Sequence, residues 1–344
     1  MRAAPVSKIF LLAVAAAFRS GPAPSHRLTP RVRRVSGLGA DGDRGRSVVF
    51  VRDATTRVAV SSSAAVATRA LITHSAVGPV ASSSFVGLAA GASLPTPLAT
   101  AAFCGSFCGM TSRAVAPGAA DVAALGAAAA ALLAGLDATR SRLLRGYGGR
   151  LGVVAALACA ASICATPSLR ASGALFQPEL AARAAAPDAL RTAVAASVLG
   201  AAATRAWARG LPELLLRARG DGGGGGSAAI ARATNPVSSA SLIGLAVSLA
   251  LWTCAPVGTA GDERNAIAAC AFVGAFVAMS PREKLGSTRA TLLAAGVAGL
   301  AQAGLAAVAV GAGGKLGAAS AIGVFVARYL RLAAGVVLIS RART

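Results

Sequence analysis

The sequence predicts an all-α, polytopic membrane protein with two inverted repeats of about four short helices each, joined by one linking transmembrane helix. Three observations predict it: a mean hydropathy of +0.66 with 55% hydrophobic residues, apolar blocks with few internal charges, and a sequence that repeats itself. Much of the apolar content is Ala, which is nearly neutral on transfer into a bilayer, so single segments score weakly. The recurrence of the blocks in both halves is therefore the stronger signal.

Three motifs occur twice, in the same order, at offsets of 157, 169 and 165 residues. The first has seven identities in eleven positions. The pairs are P-V-A-S-S-S-F-V-G-L-A at 79–89 with P-V-S-S-A-S-L-I-G-L-A at 236–246, F-C-G-S-F-C-G-M-T at 103–111 with F-V-G-A-F-V-A-M-S at 272–280, and G-G-R-L-G at 148–152 with G-G-K-L-G at 313–317. Because the offsets are nearly constant, we expect the two halves to share one fold.

Each half divides into four apolar blocks. They span 80–93, 96–110, 120–136 and 151–169 in the first half, and 237–257, 265–279, 288–310 and 315–333 in the second. The first two blocks are only about 14 or 15 residues long, whereas a helical crossing needs about 20. They form either a re-entrant hairpin or a pair of short tilted helices, and the sequence leaves both open.

The expected organisation follows the chain. It comprises a signal peptide (1–17), a transit-like basic disordered segment (18–57), a connecting segment (58–78), membrane repeat 1 (79–170), a linker (171–235) with a transmembrane helix at 188–207 and a Gly-rich loop, membrane repeat 2 (236–335) and a basic tail (336–344). The segment 58–78 is interpreted as an amphipathic or connecting segment, because Arg69 and His74 interrupt its apolar run.

The placement of basic residues favours inversion of the second repeat. The basic loop lies between the third and fourth blocks in repeat 1, but between the second and third in repeat 2. One crossing by the helix at 188–207 brings both loops to the same face. That face then carries sixteen basic residues beyond the first block, against six on the other. An excess of Lys and Arg on one face sets membrane orientation, so inverted repeats fit and parallel ones do not.

Composition also excludes several classes of function. The net charge of +22 does not indicate nucleic-acid binding, because Arg residues lie in the leader and between apolar blocks and aromatic residues are only 4%. None of the twelve acids lies in the middle of an apolar block, which disfavours proton coupling. The chain contains no hydrolase or zinc-protease motif. We therefore expect no catalytic residues, no enzyme activity, no metal and no cofactor.

Three matched sets are the candidate functional residues. They are the substrate-lining or helix-contact set (Pro79, Ser82, Ser84, Gly87, Pro236, Ser239, Ser241, Gly244), the gate or core set (Phe103, Phe107, Met110, Phe272, Phe276, Met279) and the anion or headgroup set (Gly148, Gly149, Arg150, Gly313, Gly314, Lys315). Hydroxyls can bond a solute or permit close helix packing. Aromatics one turn apart can gate or form a core, and Gly-Gly amides can attract anions or form a tight turn.

The leader has a basic start with Arg2 and Lys8, an apolar run, the small residues of A-A-A before Phe18, and then an Arg-rich stretch without acids up to Ala40. It resembles the bipartite plastid-targeting presequence of algae with secondary red plastids. The resemblance implies a plastid membrane, envelope or thylakoid; an ordinary signal peptide, and so a secretory-pathway membrane, is the alternative. The membrane region is not assigned to a known family.

Proteins with inverted repeats and broken helices are commonly transporters. We therefore expect a facilitative transporter or channel for a small polar or anionic solute, with the lipid bilayer as its surroundings. The alternative is a non-transporting membrane scaffold or assembly factor for a plastid membrane complex. No nucleic-acid partner is expected, and the sequence leaves open whether the protein forms a homo-oligomer.

Overall fold

The computed structural model describes residues 41–75, 78–139, 144, 146–171, 176–219, 235–254, 261–308 and 310–341. Within these residues the chain is helical and has no β-strand, so the all-α prediction is confirmed. One isolated antiparallel bridge joins Phe176 to Val308. The predicted signal peptide and residues 18–40 of the transit-like segment lie outside the described residues.

Thirteen helices lie in the described ranges. They are α1 (Asp41–His74), α2 (Pro79–Ser93), α3 (Thr96–Gly109), α4 (Ala119–Ala138), α5 (Arg150–Ala165), α6 (Pro167–Ala171), α7 (Pro178–Ala184), α8 (Pro187–Arg219), α9 (Pro236–Cys254), α10 (Gly261–Ala278), α11 (Arg282–Leu285), α12 (Thr288–Leu305) and α13 (Lys315–Arg341).

Each of the eight predicted apolar blocks corresponds to a helix, with most ends displaced by no more than about five residues and the C-terminal end of α13 by eight. Among the described residues, three stretches are long and apolar enough to cross a membrane, namely Ala119–Ala138, Pro236–Cys254 and Lys315–Ala334. These helices suit a membrane protein. Helices α2 and α3 have 15 and 14 residues, which at 1.5 Å per residue is short of a hydrocarbon core of about 30 Å.

The segment before the first repeat differs from its prediction. Residues 58–74 are not a connection but the second part of α1, a continuous helix of 34 residues whose beginning also occupies 41–57. Helix α1 packs along α3 and α4, and α8 packs in the same way along α10 and α12. The helix predicted at 188–207 therefore makes the same kind of contacts with α10 and α12 that α1 makes with α3 and α4.

Other helix pairs also recur in the two halves. Helix α2 contacts α3 and α9 contacts α10, while α5 packs on α3 and α4 as α13 packs on α10 and α12. The halves meet mainly where α2 contacts α9 and where α5 contacts α13. The central helices α3 and α10 are the most enclosed, since every residue of 101–109 and of 270–278 is buried.

Glycines allow α1 and α8 to approach these central helices closely. A Cβ atom at Gly105 of α3 would overlap the carbonyl oxygen of Ser61 on α1. The equivalent Gly274 of α10 meets the carbonyl oxygen of Ser197 on α8 in the same way. Small residues at helix contacts are typical of membrane helices, which associate through close packing rather than through exclusion from water.

We predict that Gly105→Ala and Gly274→Ala each destabilise the protein by about 1–3 kcal/mol, because the new methyl group must displace a backbone carbonyl. Gly135→Ala and Gly304→Ala are matched controls, since nothing lies within 4 Å of their added Cβ atoms. Both controls replace helical glycine by a better helix former and should stabilise by up to about 1 kcal/mol. Thermal unfolding of the purified proteins measures the difference. Equal midpoints for all four variants would contradict the close approach.

Candidate functional site

Helices α2 and α9, which carry the first repeated motif, cross each other in antiparallel directions. A Cβ at Gly87 would meet the Ser241 hydroxyl, and a Cβ at Gly244 would meet the Ser84 hydroxyl. Farther along α2, Gly91 faces Ser238, which lies earlier on α9. Because residue numbers rise along one helix as they fall along the other, the two copies run in opposite directions. Gly87 and Gly244, at equivalent positions of the motif, thus each face a serine of the other copy.

The prolines of the motif begin these helices. Pro79 and Pro236 are the first residues of α2 and α9, where a missing amide hydrogen costs no helical hydrogen bond. The antiparallel crossing therefore places the two helix starts at opposite ends of the contact. The sequence predicts these helix starts and, from the inverted repeats, that the two copies of the motif meet near the centre.

Five buried serine hydroxyls along this crossing have no hydrogen-bond partner within the described part of the chain. We call them the serine seam: Ser82, Ser84, Ser238, Ser239 and Ser241. Each is at most 3% exposed. Nearby hydroxyls behave differently, because Ser83 bonds to Ser106 at 2.8 Å and Ser248 donates to a carbonyl one turn earlier. A buried hydroxyl without a partner costs about 1–3 kcal/mol, so the seam is an unusual concentration of unused polar groups.

Four phenylalanines, the phenylalanine quartet, fill the centre beside the seam. They are Phe103 and Phe107 of α3 with Phe272 and Phe276 of α10. Within each helix the ring centroids lie 4.7 and 4.4 Å apart, and the four distances between the helices run from 5.3 to 6.4 Å, mostly edge to face. Every ring is at most 2% exposed. This arrangement is that of a core, and it closes the centre of the protein.

The methionines of the same motif, Met110 and Met279, are half-buried at the ends of α3 and α10 and pack against the main core. The quartet lies beside the seam, because Gly87 adjoins both the Phe103 ring and Ser241, and Gly244 adjoins both the Phe272 ring and Ser84. The residues of the gate or core set therefore pack directly against α2 and α9, the helices that carry the serine seam.

The G-G-[RK]-L-G turns dock each half onto the other. The Gly148 amide donates to Ser280 Oγ at 2.8 Å, and the Gly313 amide donates to Thr111 Oγ1 at 3.2 Å. Each turn therefore touches the end of the central helix in the opposite half. The following glycine, Gly149 or Gly314, has a positive φ of 93° or 85°, a conformation that favours glycine.

The cations of these turns are engaged within the protein. Arg150 forms an ion pair with Asp137 at 2.8 Å. The Lys315 ammonium donates to three carbonyl oxygens at 3.3–3.4 Å, those of Leu305, Ala306 and Val308. The contacts favour the tight-turn alternative over the anion or headgroup alternative for this set.

Two arginines that sequence reasoning did not single out secure the central helices. Arg69 of α1 donates to the carbonyls of Gly109, Thr111 and Ala116, at and beyond the end of α3. Arg205 of α8 donates to the Ser280 carbonyl at 3.2 Å, just beyond the end of α10. A guanidinium can satisfy several of the carbonyls that a helix end leaves without partners.

The sequence around Arg69 and Arg205 is also repeated. Residues 58–70 and 194–206 share eight of thirteen positions at an offset of 136, including the identical A-T-R-A segments at 67–70 and 203–206. This fourth match precedes the other three in both halves. It identifies α1 and α8 as equivalent without any structure.

No protein-family model, curated protein or solved structure matches this chain. Function is therefore inferred from the geometry of the serine seam, the phenylalanine quartet and the helix arrangement alone.

We predict that Phe276→Ala destabilises the protein by about 3–5 kcal/mol, because it removes a fully enclosed ring and leaves a cavity between the halves. Phe325→Ala is the matched control, since this ring on α13 is 61% exposed. Thermal unfolding of both variants, with solute leakage from liposomes measured in parallel, separates packing from gating. An unchanged unfolding midpoint together with raised leakage would contradict the core role and favour a gate.

Proposed function

We propose that the protein is a multi-pass plastid membrane protein that acts as a facilitative transporter or channel for a small polar or anionic solute. The observation that supports this most is the serine seam, because it places unpartnered hydroxyls where the two halves meet. A solute with oxygen or nitrogen atoms would satisfy these groups on its way through an apolar interior. A membrane scaffold would not need these hydroxyls for hydrogen bonding.

The arrangement proposed in the membrane is an inverted repeat of five helices per half. An odd number of crossings starts the second half on the opposite face from the first. The antiparallel contact of α2 with α9 supports this relation, as does the earlier excess of basic residues on one face. In proteins built this way the solute site lies at the interface between the repeats.

The described conformation is closed along this route. The phenylalanine quartet fills the centre, and the serine seam is in contact with it through the glycines of α2 and α9. Transport therefore requires the two halves to rock about the α2–α9 crossing, which exposes the hydroxyls to one face at a time. Short helices and glycine contacts suit such a rearrangement because few bulky side chains interlock there.

Close packing of the matched residues is the observation that favours a second candidate, a membrane scaffold or assembly factor. Helix α13 also carries exposed apolar side chains, among them Phe325, Tyr329 and Leu332, that could face lipid or another protein. The two functions differ in what the seam does. A scaffold needs its hydroxyls only for spacing, whereas a transporter needs them for bonding.

We predict that changing both Ser84 and Ser241 to Ala lowers solute flux at least about tenfold while leaving stability unchanged or raised. Removal of buried hydroxyls that lack partners relieves a folding cost, yet it deletes two bonds that a solute would make. Flux of glycerol, lactate and inorganic phosphate is measured in proteoliposomes, with thermal unfolding measured on the same preparations.

Ser93→Ala is the matched control, because Ser93 lies on α2 but is exposed and bonds to the Ala89 carbonyl. It should transport like the unmodified protein. Flux no faster than that of protein-free liposomes for all three solutes would contradict the transporter proposal and favour the scaffold.

A further inference from the structure

A cavity of about 190 Å³ opens beside the start of α12, away from the serine seam. It is lined by Arg205, Arg209, Arg282, Gly286, Ser287 and Thr288. Arg331 of α13 lies next to this cavity, since its guanidinium is close to Gly286. The three arginines of the lining surround a space large enough for a tetrahedral oxyanion.

None of these arginines has an acidic partner in the part of the chain that the structure describes. The ion pairs there involve Arg57, Arg150 and Arg191 instead. Arg209 donates to Thr288 Oγ1 at 3.1 Å, and Arg205 donates to Thr291 Oγ1 at 3.0 Å, so neutral hydroxyls position them. Glu283, which follows Arg282 in sequence, is exposed and forms none of these ion pairs.

The equivalent position in the first half carries fewer positive charges than this cavity. There Arg113 donates to Thr73 Oγ1 at 3.3 Å. By the offsets of 136 and 169, Thr73 corresponds to Arg209 and Arg113 to Arg282. A contact between one cation and a hydroxyl in the first half thus corresponds to two cations in the second. Like charges held together in this way favour a bound anion between them.

The first turns of α4 and α12 also differ in charge. In the first half, Asp121 in the first turn of α4 accepts a hydrogen bond from the Gly118 amide. Its counterpart in α12 is Ala290, and α12 has no acid in its first turn. The first half supplies its own carboxylate, whereas the second half does not.

We propose that this arginine cavity binds a phosphate group. Guanidinium forks match the geometry of phosphate oxygens, and three of them converge here with the Thr288 hydroxyl. Free phosphate and the headgroup of an anionic phospholipid share this chemistry. The site is independent of the proposed transport route, so its test does not depend on flux.

The experiment uses the full chain in nanodiscs. In one arm the bilayer is phosphatidylcholine alone and binding of radiolabelled inorganic phosphate is measured. In the other arm phosphatidylglycerol is added and its retention on the protein is measured by native mass spectrometry. Two variants are compared with the unmodified chain: the double change Arg209→Gln with Arg282→Gln, and Ala290→Asp, which introduces the carboxylate that the first half has.

We expect the double variant to weaken binding at least about tenfold, since each arginine removed contributes hydrogen bonds to a charged group. Ala290→Asp should weaken it as well by placing a fixed negative charge at the same spot. Arg113→Gln, the equivalent in the first half, is the matched control and should bind like the unmodified chain.

Loss in the first arm supports the proposal with free phosphate as the ligand, and loss in the second supports it with a lipid headgroup. If the double variant weakens binding and Ala290→Asp does not, the proposal is also supported, because the arginines then account for binding by themselves. Equal binding by the unmodified chain and the double variant in both arms overturns it, whatever Ala290→Asp does. If the double variant does not fold, the single change Arg209→Gln takes its place, and equal binding by that variant and the unmodified chain in both arms overturns the proposal.

Discussion

The antiparallel contact between α2 and α9 is the interaction on which the rest of this structure depends. It joins two copies of one motif. In each helix, a glycine leaves room for a serine side chain of the other helix. The phenylalanine quartet lies against this contact, and the G-G-[RK]-L-G turns repeat the exchange at the two ends of the central helices. A substitution that separates α2 from α9 should therefore disturb all three.

The second constraint is the need to satisfy backbone groups where short helices end. Helix α3 ends at Gly109 and α10 at Ala278, leaving carbonyls that an apolar surrounding would penalise. Arg69 and Arg205 supply donors to these ends from a neighbouring helix. Such internal use explains why an arginine can lie within an otherwise apolar segment. The seam hydroxyls, by contrast, receive no such partner among the described residues.

The helical blocks and their ends were predictable from the sequence, because apolar runs bounded by Pro, Gly and charged residues mark them directly. The role of α1 was not, since Arg69 looked like an interruption of an apolar run rather than the donor that stabilises its neighbour. The A-T-R-A match at 67–70 and 203–206 was available but short. The serine and phenylalanine positions were predictable as residues of interest. Which side chain each one touches depends on the helix crossing, and no single-chain pattern contains that.

The most direct test is disulfide cross-linking between α2 and α9. Cysteines replacing Gly91 and Ser238 should join, because the two positions face each other in the antiparallel crossing. The pair Ala81 and Ser238, equivalent in sequence, would be about 15 Å farther along α2 and should not join. A protease site in the Gly-rich loop reports the result, since only a cross-linked chain keeps its halves together without reductant. Joining at 81 and 238 but not at 91 and 238 would contradict the account.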